Sequence, residues 1–398
     1  MELADRMKKM QGSQTSAAAA KARALKAQGV DVISLAVGEP DFNTPNYILN
    51  QVKEDMFAGR GHHYTETSGI TSLKQAIIDY HAEYDQVEYQ LDQVFIADGA
   101  KMILYYTFQA LLNEGDEVLI PSPYWVSYVD QVKMAEGVPV IFETSANDNF
   151  RITPELLDQH VTERTKLLVL NIPSNPSGAI LSEEDLRAVA DYCLAHNILV
   201  VADEIYYRLV YNGHKSKSIA ALSPEIKENT ILINGFSKAY AMTGWRVGYA
   251  LADAKYISAF SKLGSQINSN PTGVSQYAAL AALTGPREKA VEAMRKEFEN
   301  RLNAAYEEIL TVPGFKLAHK PQGAFYLFPD ASETAKLCGF DSVTDLANAF
   351  IDEAHVVGVA GVAFGKEDHI RFSYATNEDK FAEAMKRIRE FVESKMAK

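Results

Sequence analysis

A lysine becomes a reagent only when its surroundings let the amine shed its proton and hold an electrophile. The run N-G-F-S-K (234 to 238), followed by A-Y-A-M-T-G-W-R (239 to 246), puts such surroundings around Lys238. Ser237 offers a hydroxyl and Arg246 a guanidinium fork, both suited to a phosphate, while Gly235 and Gly244 permit close backbone approach to a ligand. A lysine after an apolar run is otherwise a solvated loop residue. An amine beside a phosphate site is what an imine of pyridoxal 5'-phosphate requires.

Five further apolar runs end in residues that would serve such a ring. I-L-V-V-A (198 to 202) leads into D-E-I-Y, which sets Asp203 at the end of a buried strand. A buried carboxylate needs a cationic partner, and a protonated pyridine nitrogen is one; the plainer use of Asp203 is to cap the following turn. Tyr206, three residues on, reaches toward the ring's phenolic oxygen. K-L-L-V-L (166 to 170) ends in N-I-P-S-N-P-S-G, a rigid turn able to fix the Asn175 amide, although N-P-x-G alone is only a turn signal.

V-F-I-A (94 to 97) is followed by D-G-A-K, so the amides of Gly99, Ala100 and Lys101 open a helix and form a phosphate cradle, unless the glycine is there only for steric reasons. E-V-L-I (117 to 120) leads to P-S-P-Y-W, where Trp125 either stacks on a flat ring or packs between domains. R-F-S-Y-A (371 to 375) places Arg371 on an apolar strand, where it needs either an internal acid or a ligand carboxylate.

These positions are strand ends, and the elements that carry them alternate between strand and helix. P-V-I-F (139 to 142), T-I-L-I (230 to 233) and R-V-G-Y-A (246 to 250) complete about seven strands, with helices expected over 100 to 112, 124 to 135 and 182 to 196, the last opened by Ser182. That pattern predicts an α/β fold with a mostly parallel sheet covered on both faces. After about residue 285 the texture changes to a charged helix (286 to 310), strand-like 324 to 328, a helix near 342 to 354, strand-like 355 to 364 and 369 to 374, and a closing helix from 378. An Ala-rich helix from Ser16 to Gln28 precedes the turn G-E-P-D-F (38 to 42). The expected organisation is a large domain over 47–285 and a smaller, discontinuous α+β domain of 1–46 and 286–398.

Composition sets the limits. The chain has 398 residues, 47% of them hydrophobic and 23% charged, as expected of a globular enzyme. A formal net charge of -13 speaks against a nucleic-acid or anionic-membrane partner, so an anionic ligand must meet a local positive site. The two cysteines, Cys193 and Cys338, have no spacing for a disulfide framework or a metal site. With a mixed-charge N-terminus and no long apolar run, a cytoplasmic location is expected and no metal.

Taken together, the motifs resemble the class I aminotransferases of the pyridoxal-phosphate fold type I superfamily from about Gly29 to Phe391; the run S-K-x-x-x-M-T-G-W-R-x-G (237 to 248) is the most specific part. The resemblance implies that Lys238 carries the cofactor as an internal aldimine and shuttles the proton. It implies that Asp203 pairs with the ring nitrogen, Tyr206 and Asn175 bond the phenolic oxygen, and Trp125 stacks on the ring. Ala100, Lys101, Ser237 and Arg246 would hold the phosphate, and Arg371, with the Gly38 amide nearby, the α-carboxylate of the substrate. Tyr64, in H-H-Y-T, is similar to the tyrosine these enzymes send into the neighbouring subunit's phosphate site, which implies a homodimer.

The N-terminal Thr15 and the Gly99-Ala100-Lys101 run are similar to a prokaryotic branch of aspartate aminotransferases. There, a threonine and a lysine matching Thr15 and Lys101 bind the distal carboxylate. The better-known branch uses an arginine for this, and Ser265 stands in its place here. Amino transfer from aspartate to 2-oxoglutarate by a ping-pong route is therefore the leading expectation. An aromatic donor, in a pocket lined by Tyr64, Phe325, Tyr326 and Phe364, and a β-lyase on the same scaffold are the alternatives. The chain is too short for an added DNA-binding domain, and it lacks the G-x-G-x-x-G of a nicotinamide enzyme.

Overall fold

The computed structural model describes residues 14–397, apart from the side chains of 14–16, and the isolated positions 2, 3, 7 and 12. The apolar runs form β2 (Val94–Ala97), β3 (Glu117–Ser122), β4 (Val138–Glu143), β5 (Thr165–Asn171), β6 (Leu199–Asp203), β7 (Thr230–Gly235) and β8 (Gly248–Leu251), after a two-residue β1 (Ile33–Ser34). They make one seven-stranded sheet in the order β2-β8-β7-β6-β5-β3-β4. All are parallel except β8, which runs antiparallel to both of its neighbours.

Every residue of β6 is buried, because successive side chains enter two different cores. Val201 joins Leu167, Val169 and Ile233 on one face, while Val200 and Ala202 join Leu168 and Leu170 on the other. Helices on both sides create that demand and explain the unbroken apolar runs. Ala100–Leu111, Ser127–Met134 and Glu183–Ala195 are the predicted crossovers; Ser182 caps the last, accepting the Asp185 amide at 3.1 Å.

The helices Asn46–Phe57, Thr71–Tyr84, Ala254–Ile267 and Gly273–Thr284 escaped the sequence pattern. Gly273–Thr284 shows why. It is apolar around most of its circumference and buried against the first two, so it has no polar stripe to mark its period.

A second layer is built from β9 (Tyr326–Leu327), β10 (Val356–Val357), β11 (Val359–Ala360) and β12 (Ile370–Ser373), with β11-β12-β9 antiparallel. These strands are shorter than the sequence suggests. Gly358 separates β10 from β11, where a side chain would meet the Phe372 ring at 2.7 Å, and residues 361–364 coil into a 3₁₀ turn. β1 pairs in parallel with β10, the Ser373 amide donates to the Leu35 carbonyl at 2.7 Å, and Ala22 of the helix Gln14–Ala27 packs with Phe328, Ile351 and Val357. The N-terminal segment is thus stitched to the C-terminal layer. Among the described residues no helix is long and apolar enough to cross a membrane.

Candidate active site

β5, β6 and β7 are neighbouring parallel strands, so their last residues, Asn171, Asp203 and Gly235, end side by side at one rim of the sheet. A cavity of about 470 Å³ opens there, and Lys238, Asp203, Tyr206 and Asn175 all line it.

Lys238 follows β7 by one turn, and its Nζ donates to the Gly38 carbonyl at 2.6 Å. Burial pulls its amine down to about 8; Arg371 and Arg246 push the same way, while Glu39 and Asp203 oppose. A neutral, nucleophilic fraction therefore exists near neutral pH.

Asp203 is 4% exposed and has no ion-pair partner among the described residues. Its Oδ2 accepts from the Tyr128 hydroxyl at 2.7 Å and its Oδ1 from the Ile205 amide at 3.2 Å, so it does cap the following turn. Burial nevertheless pushes the carboxyl up to about 6 against those bonds and the Lys238 charge. It is a carboxylate short of a cation.

Asn171 fixes the turn after β5 at both ends. Its Nδ2 donates to the Asp203 carbonyl at 3.0 Å, and its Oδ1 accepts the Asn175 amide at 2.8 Å. Asn175 Oδ1 in turn accepts from Arg371 Nη1 at 2.9 Å, and Arg371 Nη2 donates to the Ala36 carbonyl at 2.7 Å. The guanidinium lies 4.5 Å from the Tyr326 ring and 4.8 Å from that of Phe364. Its Nε is buried without a partner, and no carboxylate pairs with it among the described residues. The internal-acid reading of Arg371 therefore fails. A buried cation with an open N–H calls for an exogenous anion.

Ala100, Lys101, Ser237 and Arg246 line the same cavity. Gly99, in a left-handed conformation with φ +95°, sits so near Arg246 that a Cβ would lie 2.5 Å from Nη2. Gly248 would bring one within 2.6 Å of the Ala100 nitrogen. The two glycines let the helix start, the strand and the guanidinium converge. The amides of Ala100 and Lys101 begin the helix and have no carbonyl one turn back within it. With the Ser237 hydroxyl and Arg246 they form a cradle of phosphate size, which the residues present fit.

Gly38 and Trp125 also line the cavity, with Lys101 Nζ 4.7 Å over the Trp125 ring. Tyr64 does not; it is 90% exposed on this single chain. Thr15 lies in the helix Gln14–Ala27, but its side chain falls outside the described residues. Ser265 is exposed and turns back to the Lys262 carbonyl, away from the cavity lining. Of the four aromatic candidates only Tyr326 lines the cavity; Phe325 and Phe364 are core residues.

Among the lining residues that the sequence did not single out are Tyr128, Asn171, Arg23 and Glu39. Tyr128 had a signal. It stands three residues after Trp125 as a helix begins, and the two rings meet edge to face at 5.4 Å. Glu39, beside Gly38, accepts from the Thr243 hydroxyl at 3.0 Å. Arg23 lay in an Ala-rich helix that gave no reason to single it out.

Residues 30–388 match the family described as aminotransferase class I and II. The chain is 49% identical over 390 residues, 98% of its length and 99% of the relative's, to an aspartate aminotransferase of Bacillus sp. (strain YM-2). It is 45% identical to an asparagine–oxo-acid transaminase of Streptococcus mutans, covering 98% of this chain and 99% of that one. Its backbone matches the aspartate aminotransferase of Thermus thermophilus solved with maleate at a TM-score of 0.92, with 35% identity over 98% of this chain and 100% of that one. The fold is that of the pyridoxal-phosphate fold type I aspartate aminotransferases, as the strand-end motifs implied. The chain belongs to the class I and II aminotransferase family.

Proposed function

We propose that this aminotransferase binds pyridoxal 5'-phosphate at Lys238 and moves the amino group of aspartate to 2-oxoglutarate. The observation that carries the reading is Arg371, a buried guanidinium that no acid pairs among the described residues, in one cavity with Lys238 and with Asp203, which has no ion-pair partner among them either. When bound, the cofactor supplies an aldehyde that takes up amines and a protonated ring that accepts the electrons left by a breaking Cα–H bond.

The rest follows from the chain's own groups. Asp203 meets the ring nitrogen and keeps its proton in place; Tyr206 and Asn175 bond the phenolic oxygen; Trp125 covers the ring face. The Gly99–Lys101 amides, Ser237 and Arg246 take the phosphate. Arg371, held by Asn175 and Ala36, grips the α-carboxylate so that the Cα–H faces Lys238, and Lys238 Nζ then moves the proton at Cα. Two more cations, Lys101 and Arg23, line the cavity and favour a substrate with a second carboxylate.

Tyr64 and the 87% exposed Phe57 support a homodimer in which Tyr64 reaches the partner's phosphate site. The division into 47–285 and 1–46 with 286–398 is supported by the pairing of β1 with β10. Location in the cytoplasm is supported by two free thiols, Cys193 and Cys338.

The test is a pair of half-reactions. Aspartate should convert the bound cofactor to its amino form with release of oxaloacetate, and 2-oxoglutarate should restore it with release of glutamate, giving parallel double-reciprocal lines. Pyruvate and ammonia from cysteine conjugates without transfer would establish a β-lyase. Faster turnover of asparagine or phenylalanine than of aspartate would overturn the donor assignment.

A further inference from the structure

By area Tyr326 is core packing: it is fully buried on β9. Its hydroxyl, however, lies 2.8 Å from that of Tyr206 inside the cavity lining. The backbone makes room for it there. A Cβ on Gly38 would stand 2.5 Å from the Tyr326 oxygen, so the glycine of G-E-P-D-F is the vacancy that this hydroxyl fills. One face of the Tyr326 ring carries Arg371 at 4.5 Å. Tyr326 thus touches both the carboxylate clamp and the tyrosine that serves the cofactor.

A phenol has one proton to give. If Tyr206 gives its proton to the ring's phenolic oxygen, as proposed above, it has none left for Tyr326, and the short contact between them must be a bond that Tyr206 accepts. No other acceptor for the Tyr326 hydroxyl is found among the described residues. We propose that Tyr326 is a positioning residue which donates to the Tyr206 oxygen, turning the Tyr206 proton toward the cofactor and polarising it. The inference rests on the reading of Tyr206 as a cofactor ligand. The charged and titratable groups facing the pair are Arg371, Asp203 and Lys238, the last 5.8 Å from the Tyr206 ring.

A donor that is itself receiving a hydrogen bond is the stronger donor. Removing the Tyr326 hydroxyl weakens the stabilisation that Tyr206 gives the deprotonated form of the bound cofactor, so the pH midpoint of its visible absorbance should rise in Tyr326→Phe, by about half a pH unit. Tyr206→Phe should raise it further, and adding Tyr326→Phe to that variant should change nothing more.

Gly38→Ala supplies the independent check. Its methyl displaces the Tyr326 hydroxyl, so the midpoint should rise by a similar amount, and the double variant Gly38→Ala, Tyr326→Phe should sit at the Tyr326→Phe value rather than beyond it. An unchanged midpoint in Tyr326→Phe beside a shifted one in Tyr206→Phe overturns the relay while leaving the cofactor reading intact. If Tyr206→Phe also leaves the midpoint in place, Tyr206 does not bond the phenolic oxygen and the parent reading fails with it.

Discussion

The Tyr128 hydroxyl donates to Asp203 Oδ2 at 2.7 Å, linking the first turn of a crossover helix to the last residue of the central strand. Asp203 has two oxygens and, among the described residues, two hydrogen bonds to them, so Tyr128 decides which way the carboxylate faces. A hydrogen bond to a charged group contributes roughly 1.5–3 kcal/mol, so Tyr128→Phe should weaken pyridoxal-phosphate binding about 10- to 100-fold. Titration of the cofactor-free protein, followed by the cofactor's absorbance, measures this. Affinity within twofold of the parent would show that the backbone alone orients Asp203.

The same carboxylate sets a pH dependence for the cofactor-free protein. Burial raises Asp203 from 3.8 to about 6. A raised carboxyl contributes stability that is fully present below the unfolded value and lost as pH climbs through the folded one, so the window runs from about pH 4 to about 6. Glu204, raised by the same cause, acts in the same direction, so the readout must be a difference. The urea midpoint of Asp203→Asn should gain on that of the parent protein across this window, both without cofactor, and stop gaining above it. A constant gap from pH 4 to pH 8 would refute the assignment.

Lys238 titrates in the opposite sense. Its amine is pulled down to about 8, and only the neutral form adds to an aldehyde. The rate of covalent cofactor capture should rise with pH and level off above about 8, rather than continue upward toward 10.5 as for a solvent lysine. In Lys238→Ala the covalent absorbance should be lost, or persist only as a complex with an added amino acid.

Much of this was legible before any coordinates. Lys238, Asp203 and Asn175 could be found because each follows an unbroken apolar run, and such runs are strands whose ends must reach the surface of a covered sheet, while Arg371 could be found as a cation standing on an apolar strand. Tyr128 and Tyr326 could not be found this way. Tyr128 acts across from a helix, and Tyr326 stands on a two-residue strand whose neighbours Phe325 and Leu327 make it look like core. What assigns Tyr326 is a contact with Tyr206, 120 residues away, and no local pattern records such a distance.

Lys101 offers the sharpest test of donor choice. Its amine stands over the Trp125 ring at 4.7 Å, and desolvation, reinforced by repulsion from Arg246, lowers its hold on a proton. An anion arriving beside it would relieve both penalties, which a neutral or aromatic side chain cannot do. Lys101→Ala should therefore lower kcat/KM for aspartate at least tenfold relative to phenylalanine, because the loss falls on the substrate with the second carboxylate. Arg23→Gln should shift the same ratio in the same direction, since its guanidinium also lines the cavity. An equal loss on both donors would place Lys101 on the phosphate instead. In that case the distal carboxylate would belong to Arg23, and a larger shift in the Arg23→Gln ratio would show it.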